Sequence, residues 1–292
     1  MIDISIILPV YNRENYLRKT LISIENQTFK NFEVIVIDDG STDSSFMISK
    51  EFCEKNTNWK LLRIDHRGVS HARIHGINNS KGRYLSFIDS DDYVEPNFLE
   101  VLYKNIGNSQ IAMCNYRTIY GESNFGFVSI WYHRSGIFKR DSILKSLIVD
   151  FSVKSFLWNK LFDRSLFDDI FIPEMCFEDK IMCLQLFYKI ESCSIVNKIL
   201  YNYHKNQTSM TWEMDEKLLS DYIKFSEFLK DFLSSKNEYK KFRNSHKIYS
   251  IHVFSLIFRV IFFNCAFKDK SFKNFFKKLF YNYKRLIESL KS

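Results

Sequence analysis

The stretch ISIILPVYNRENYLRKTLISI, residues 4–24, decides the fold because its periodicity changes at Asn12. It opens with a nearly continuous apolar run, which is typical of a strand buried on both faces. Beyond Asn12, the apolar residues Leu17, Leu21 and Ile24 recur at helical spacing. Asparagine is also a favoured helix-capping residue. The stretch therefore predicts a buried strand followed by an amphipathic helix that Asn12 caps.

The same alternation continues through about the first 115 residues. The apolar runs FEVIVIDDG, WKLLRI, RYLSFIDSDD and QIAMCN predict further strands, and VSHARIHGINNS and PNFLEVLYKNI predict helices between them. Strands that alternate with helices form a mostly parallel sheet whose two faces the helices cover. We therefore expect an α/β fold of this kind.

Polar clusters follow three of these strands at the point where each strand ends. They are PVYN, DDGSTD and DSDD, the last of which holds Asp89, Asp91 and Asp92. Ligands of parallel α/β sheets bind beyond the carboxyl ends of the strands, so we expect the clusters to converge on one crevice. Carboxylates this close repel one another unless a cation, a proton or open solvent relieves the repulsion.

The composition is that of a globular protein, with 292 residues of which 46% are hydrophobic. The six cysteines form no CxxC pair and have no histidine partners at zinc spacing, which indicates reduced thiols in the cytoplasm. The first residues, MIDISIILPVYN, lack the basic segment and the cleavage site of a signal peptide. We therefore expect the protein to be cytoplasmic.

The positive charge is concentrated in the C-terminal tail, residues 236–292. This tail has 14 Lys/Arg against 3 Asp/Glu, which leaves 28 against 31 for residues 1–235. In FKNFFKKLFYNYKRL, lysines and aromatic residues interleave at helical spacing. A basic amphipathic helix suits the surface of an anionic membrane, but the pattern equally fits a helix that packs its apolar stripe on the domain.

Neither a membrane-spanning helix nor a nucleic-acid partner is expected. The most apolar window, residues 248–267, contains His252 and Arg259 and barely reaches the roughly 20 residues that a span needs. The tail is basic and aromatic, as some nucleic-acid-binding segments are, but no RNA- or DNA-binding motif accompanies it.

Three segments, taken in order, carry a resemblance to a known family. ISIILPVYNRENYLRKTLISIENQTFKNFEVIVIDDGSTDSS, GVSHARIHGI and YLSFIDSDDYVEP resemble the N-terminal half of the family 2 nucleotide-sugar glycosyltransferases, which have the GT-A fold. The resemblance is dense over the first 115 residues and continues thinly to FEDK at residues 177–180 and LYNYHKNQTSMT at residues 200–211.

The resemblance implies an α/β fold of the GT-A, Rossmann-like type, with helices on both faces of a mostly parallel sheet and a helical C-terminal extension. The implied GT-A domain covers residues 1–212. Its halves are residues 1–115, which bind the nucleotide sugar, and residues 116–212, on the acceptor side. Residues 213–292 form the helical, basic and aromatic region.

The implied activity is metal-dependent, inverting transfer of a hexose or an N-acetylhexosamine from a UDP-sugar to a hydroxyl group of a bacterial surface glycan, such as capsule or lipooligosaccharide. The acceptor is a glycan or a lipid-linked intermediate, and the tail would hold the enzyme peripherally on the inner face of the cytoplasmic membrane. The alternative is a non-catalytic scaffold at the membrane that binds nucleotide sugars and has kept the fold.

The resemblance gives the DSD triplet a role in donor binding. It implies that Asp91 binds Mn²⁺ or Mg²⁺ and that Asp89 faces the ribose and the metal, with Ser90 between them. Such hard cations are held by a few carboxylates together with phosphate oxygens, and they stabilise the charge on a departing diphosphate. The cation that relieves the repulsion would then arrive with its substrate. A solvated acidic turn is the alternative.

The resemblance also implies which residues contact the nucleotide. Asp39, with Asp38 as second choice, accepts a hydrogen bond from the ring N–H of the base, since an ionised carboxylate is only an acceptor. Arg73 lies near the diphosphate. The residues that flank the base and the ribose are Pro9, Tyr11 and Asn12. An Asx-type turn with a following helix cap also explains DDGSTD and is compatible with this role.

Two departures from the family pattern leave the details of the base and ribose contacts open. The family often has an asparagine before its Gly-x-Ser, where this chain has His66, Arg67 and Gly68. Ile74 replaces a frequent asparagine after Arg73.

The resemblance places the catalytic base in FEDK. It implies that Asp179, with Glu178 as second choice, takes the proton of the acceptor hydroxyl. The alternative is that both acids only favour the dipole of the helix they begin. Further acceptor-side candidates are Trp158, Asn159, Lys160, His204 and Arg117. Trp158 fits stacking on a sugar or core packing, and His204 fits a structural hydrogen bond or a contact with the metal.

Overall fold

The computed structural model describes residues 2–120, 126–129, 135–150, 153–172, 178–205, 216–263, 280–282 and 284–287. In residues 126–129, 216–219 and 259–263 the backbone alone is described. Phe177 of FEDK, the part of LYNYHKNQTSMT from Asn206 onwards and residues 264–279 of the tail therefore lie outside the described residues.

Within these residues the chain forms ten strands, joined in one sheet, and eight α-helices. The strands are β1 (Ile4–Val10), β2 (Phe32–Asp38), β3 (Trp59–Arg63), β4 (Tyr84–Phe87), β5 (Tyr93–Val94), β6 (Ile111–Tyr120), β7 (Gly126–Ser129), β8 (Gly136–Lys139), β9 (Lys160–Asp163) and β10 (Ser192–Lys205). The helices are α1 (Glu14–Glu25), α2 (Ser45–Lys55), α3 (Val69–Asn79), α4 (Phe98–Ile106), α5 (Arg140–Val149), α6 (Glu178–Lys189), α7 (Glu216–Ser235) and α8 (Tyr239–Phe263).

Strands β1 to β4 form a parallel group in the order β3-β2-β1-β4. Every residue of β1 and β2 is buried, as expected of strands in a sheet covered by helices. Helix α3 packs so closely on this group that a Cβ atom at Gly76 would lie 2.5 Å from Cγ2 of Ile7. The predicted alternation of strands and helices is therefore confirmed.

The rest of the sheet is mixed. Strand β9 is antiparallel to β4 and β6, whereas β6 is parallel to β10. Strands β5, β7 and β8 run antiparallel to their neighbours. The two-residue β5 follows the DSDD cluster and pairs with Tyr201 and Asn202, which brings the far end of β10 beside that cluster. So short a strand has no periodicity for a sequence pattern to reveal.

The turns after β1 and β2 satisfy one another's polar groups. Asn12 has a positive φ of 49°, and its Oδ1 accepts a hydrogen bond from the N–H of Thr42 at 2.9 Å. The N–H of Arg13 donates to Oγ of Ser45 at 2.7 Å. The prediction that Asn12 caps α1 is therefore wrong, because its side chain bonds the neighbouring turn and α1 has no side-chain cap.

The chain divides into two compact units. All ten strands belong to the first unit, and α7 and α8 belong to the second. The first unit consists of Met1–Ile143, Phe156–Glu174 and Gln185–Gln207, and the second of Leu144–Ser155, Met175–Leu184 and Thr208–Ser292. The predicted tail from residue 213 onwards falls within the second unit, and the predicted domain boundary at residue 212 stays a prediction.

A buried lysine ties α6 to α7 and α8 within the second unit. Nζ of Lys180 lies 2.8 Å from Oδ2 of Asp150. The same Nζ lies 5.8 Å from the ring centre of Tyr222 and 5.7 Å from those of Phe225 and Tyr249. Burial lowers the pKa of Lys180, but the charge and hydrogen bond of Asp150, with smaller contributions from Tyr222 and Asp179, together raise it more, so the net shift is upward. The ammonium group is thus held charged among aromatic rings.

Helices α7 and α8 also share a buried histidine. Nε2 of His246 lies 2.7 Å from Oγ of Ser226, and Nδ1 lies 3.1 Å from the Tyr239 hydroxyl. Burial, with a smaller contribution from Lys230, lowers the pKa of His246 to about 4. In the described part of the chain, no helix has both the length and the apolar character needed to cross a membrane.

The His246 site predicts a loss of stability in mild acid. The pKa of His246 is lower in the folded state than in the unfolded state, so its contribution is complete above pH 6.5 and declines as the pH falls toward 4. We expect a loss of about 2 kcal/mol between pH 7 and pH 5, which His246→Gln removes. Thermal denaturation across this range measures it, with His75→Gln as the control. Equal pH slopes for wild type and His246→Gln would contradict the prediction.

Candidate functional site

The three polar clusters lie at one edge of the sheet, because β1 pairs with β2 on one side and with β4 on the other. Main-chain hydrogen bonds join the strand ends: the N–H of Asp39 donates to the carbonyl of Val10 at 2.8 Å, and that of Ile88 donates to the carbonyl of Ile7 at 3.2 Å. Pro9 is buried within β1. The predicted convergence of the three clusters is therefore confirmed.

Two of the three acids after β4 pair with arginines. Nη2 of the buried Arg73 lies 3.2 Å from Oδ1 of Asp89, and Nε of Arg13 lies 3.4 Å from Oδ2 of Asp91. The side chains of Asp89 and Asp91 are 29% and 16% exposed, so a ligand can reach both carboxylates. Ser90 between them is buried.

Asp92, the third acid, is buried and holds the turn together. Its Oδ2 accepts from the Tyr201 hydroxyl at 2.7 Å, and its Oδ1 accepts from the N–H of His204 at 2.7 Å. The Tyr201 hydroxyl in turn accepts from the N–H of Asp89 at 3.2 Å. Burial, and after it the charges of Asp91 and Asp89, raise the pKa of Asp92 well above its ordinary value. The cluster therefore has two outward acids and one structural acid.

Asp38 is a fully buried carboxylate at the end of β2. Its Oδ2 accepts from the N–H of Ser41 at 3.3 Å and lies 3.3 Å from Nε of Arg63. Its Oδ1 is buried and has no hydrogen-bond partner among the described residues. Since a buried acceptor without a donor is costly, Oδ1 is an open position for a donor.

Asp39 is bonded to the connection between β3 and α3. Its Oδ1 accepts from the N–H of Arg67 at 3.0 Å, and its Oδ2 accepts from the N–H of Gly68 at 2.9 Å. Nδ1 of His66 lies 2.8 Å from the same Oδ2. The His66 ring also stacks on the Tyr11 ring, with centroids 3.9 Å apart and planes 13° apart. The acid predicted to receive the base is thus already engaged by this connection.

The predicted acceptor-side segment is buried. Trp158, Asn159 and Lys160 are 4%, 0% and 0% exposed. The Trp158 ring stacks with those of Phe156 and Tyr201, at centroid distances of 4.7 and 4.3 Å. These contacts favour core packing over stacking on a sugar, since little of the ring is accessible. Contact of this segment with the sugar acceptor stays a prediction, which the low exposure of its side chains does not support.

The polar side chains of this segment bond within the protein. Nδ2 of Asn159 donates to the carbonyl of Cys114 at 2.7 Å, and Nζ of Lys160 donates to Oδ1 of Asn159 at 2.6 Å. His204 is half-buried, with its ring 5.1 Å from that of Tyr16. Its main-chain bond to Asp92 gives it a structural role, and a metal contact by its ring stays a prediction.

Glu178 and Asp179 lie in the second unit, in the first turn of α6. Glu178 is buried, with 4% of its surface exposed, whereas Asp179 is half-buried. The greater exposure of Asp179 agrees with its choice over Glu178 as the base. The role of either acid stays a prediction.

Sequence reasoning missed two residues that hold the acids. Arg13 carried a signal, since it directly follows the PVYN cluster. Tyr201 carried none, because 109 positions separate it from Asp92 and only the pairing of β10 with β5 brings the two together.

The bridge formed by Tyr201 predicts a stability effect. Tyr201→Phe leaves a buried carboxylate oxygen and the N–H of Asp89 without their partner, so we expect a loss of about 1–3 kcal/mol of unfolding free energy. Tyr84→Phe is the matched control, because Tyr84 is likewise a tyrosine of low exposure in the sheet, but its hydroxyl is not the one that bonds Asp92 and Asp89. Thermal denaturation compares the two variants. Equal midpoints would contradict the assigned role of the bridge.

Comparison with known proteins identifies the family. The sequence model of "Glycosyl transferase family 2" matches residues 5–171. Glycosyltransferase GlyA of Streptococcus pneumoniae serotype 4 is 37% identical over 227 residues, which are 73% of this chain and 32% of GlyA. The minor teichoic acid biosynthesis protein GgaA of Bacillus subtilis is 31% identical over 252 residues, 72% of this chain and 54% of GgaA. The chain thus spans about a third of GlyA and about half of GgaA.

A solved structure has the same fold. The crystal structure of residues 1–349 of S. aureus TarS in complex with UDP-GlcNAc covers 99% of this chain and 91% of that chain, with a TM-score of 0.67 and 19% sequence identity. The predicted α/β fold with a helix-flanked sheet and C-terminal helices is therefore confirmed. With the family match over more than half of its residues, this chain belongs to glycosyl transferase family 2.

Proposed function

We propose that this chain transfers a hexose or an N-acetylhexosamine from a UDP-sugar to a hydroxyl group of a bacterial surface glycan, with inversion at the anomeric carbon. The observation that carries the proposal is the edge where the turns after β1, β2 and β4 meet, because it joins partly exposed acids, two arginines and an aromatic ring. The names of GlyA and GgaA and the UDP-GlcNAc bound to TarS support it.

The turns after β1 and β2 would bind the nucleoside. Tyr11 offers a ring for the base, and Asp39 offers a carboxylate for its ring N–H, which suits uracil. Pro9 and Asn12 flank the base and the ribose through their main chain. Oδ1 of Asp38 has no hydrogen-bond partner among the described residues, which supports the binding of a ligand with a hydrogen-bond donor at this edge.

The acids after β4 fit a hard divalent ion. In the described part of the chain, no group of three or more His, Cys, Asp or Glu side chains can hold a metal. Asp89 and Asp91 supply two partly exposed carboxylates, which suits an ion that takes its remaining ligands from phosphate and water. Asp91 and Asp89 would hold Mn²⁺ or Mg²⁺, which when bound stabilises the charge of the leaving diphosphate. Arg73 and Arg13 would contact diphosphate oxygens.

The acceptor hydroxyl needs a base as it attacks the anomeric carbon. Asp179 takes this proton in the proposed mechanism, with Glu178 as second choice. Asp179 is the more exposed of the two, which supports the order.

Release of nucleoside diphosphate tests the proposal without knowledge of the acceptor. Wild type, incubated with Mn²⁺ and a panel of UDP- and GDP-sugars, should release UDP slowly from a UDP-sugar. Asp91→Asn should lose both Mn²⁺-dependent UDP binding and the formation of UDP from the UDP-sugar. Asp179→Asn should bind UDP normally but form UDP from the UDP-sugar about 100-fold more slowly. Asp231→Asn, exposed on α7, is the control.

The outcomes separate the candidate functions. A wild type that binds UDP but turns over no sugar nucleotide would favour the non-catalytic scaffold. Release by Asp179→Asn at the wild-type rate would remove Asp179 as the base.

We also propose that α8 rests on the inner face of the cytoplasmic membrane. The exposed lysines Lys240, Lys241 and Lys247 lie on this helix together with Ile248 and Ile251, which are 52% and 69% exposed. Exposed cations beside exposed aliphatic side chains suit anionic lipid headgroups and the layer beneath them.

Vesicle binding tests the membrane contact. The double variant Lys247→Glu, Ile251→Glu should bind phosphatidylglycerol vesicles about tenfold more weakly than wild type at low salt. Lys30→Glu, an exposed charge reversal in the loop before β2, is the control. Undiminished binding by the double variant, or equal binding of wild type to phosphatidylcholine vesicles, would contradict the contact.

A further inference from the structure

We propose that the imidazole of His66 occupies the binding site of the nucleotide's base in the nucleotide-free protein. The base displaces this imidazole when the nucleotide binds. The inference rests on the proposed function and adds to it a residue that sets the affinity for the base.

The imidazole makes the same two contacts that the site offers to a base. Its face covers the Tyr11 ring at a centroid distance of 3.9 Å, which leaves no space for another ring between them. Its Nδ1 lies 2.8 Å from Oδ2 of Asp39, the residue whose carboxylate is proposed to accept the N–H of uracil. A base and the His66 ring therefore compete for one aromatic face and one acceptor.

The connection between β3 and α3 can keep its main-chain bonds to Asp39 when the His66 ring moves away. The main-chain bonds of Asp39 to Arg67 and Gly68 do not involve the imidazole, so they hold the connection in place after the ring leaves. The side chain of His66 is 50% exposed, and it belongs to a connection without regular secondary structure. These features favour a change of side-chain rotamer over a movement of the sheet edge.

A pocket beside His66 offers room for the displaced ring. It has a volume of about 800 Å³, and His66 is part of its wall. The wall also includes Gly40, Arg67 and His75. An imidazole can thus turn away from Tyr11 without meeting the core.

The exchange discriminates among bases. A base that brings its own ring N–H restores the hydrogen bond that Asp39 loses from His66, as uracil does. Cytosine has a ring acceptor at the equivalent position and leaves that bond unmade. Displacement of His66 therefore favours UDP over CDP.

Calorimetric titration of UDP in the presence of Mn²⁺ tests the inference. His66→Ala removes the competitor and should bind UDP about tenfold more tightly than wild type, since a ring stack and a hydrogen bond no longer have to be broken. His66→Phe keeps a ring for Tyr11 but loses the hydrogen bond to Asp39, so it should gain less affinity for UDP than His66→Ala. His75→Ala, which changes the pocket wall but touches neither Tyr11 nor Asp39 in the described structure, is the control.

The outcomes are distinguishable from those of the proposed function. Wild type that binds UDP while His66→Ala binds it equally or more weakly overturns the inference alone. Failure of both proteins to bind UDP overturns the inference and the proposed function together. Should His66→Ala fold poorly, the imidazole resonances of wild type decide: on saturation with UDP, those of His66 should lose the ring-current shift from Tyr11, and an unchanged signal overturns the inference.

Discussion

The place of β1 between β2 and β4 is the constraint on which the candidate site depends. In the parallel register, Val10 lies beside Asp38 and Ile7 lies beside Phe87, so the chain leaves the three strands at neighbouring points. Hydrogen bonds from turn to turn then fix the polar residues that follow. Three strands that are buried along their whole length, β1, β2 and β4, thus end at one polar edge of the sheet.

The repulsion among the three acids that follow β4 is relieved in two ways. Asp89 and Asp91 stay partly exposed and gain a guanidinium neighbour each, whereas Asp92 is withdrawn into the protein with the Tyr201 hydroxyl and a main-chain N–H as partners. Only the outward pair is available to a cation or a phosphate. The buried acid sets the geometry of the turn that presents this pair.

The N-terminal half of the fold was readable from sequence because its strands and helices have strong periodicity and end in recognisable polar turns. The antiparallel strand β9 and the two-residue β5 were not readable, because pairing with distant strands defines them. The same limit applies to the site. Asp89 and Asp91 stood out in the local sequence, but the contact of Tyr201 with Asp92 depends on a strand encountered much later in the chain.

Burial also decided questions that residue type left open. Trp158 fitted a sugar platform or a core residue equally well by sequence, and its 4% exposure among stacked rings favours the core. Asn12 has the residue type of a helix cap, yet its positive φ turns the side chain to the neighbouring turn. Neither outcome follows from the identity of the residue alone.

The central claim is that the edge formed by the turns after β1, β2 and β4 is a nucleoside diphosphate site. A crystal structure of the protein with UDP and Mn²⁺ tests it most directly. The account predicts electron density for the uracil ring against Tyr11 and Asp39, and for the diphosphate and the ion beside Asp89 and Asp91. Density for UDP at another surface, or an edge left empty at saturating UDP and Mn²⁺, would contradict it.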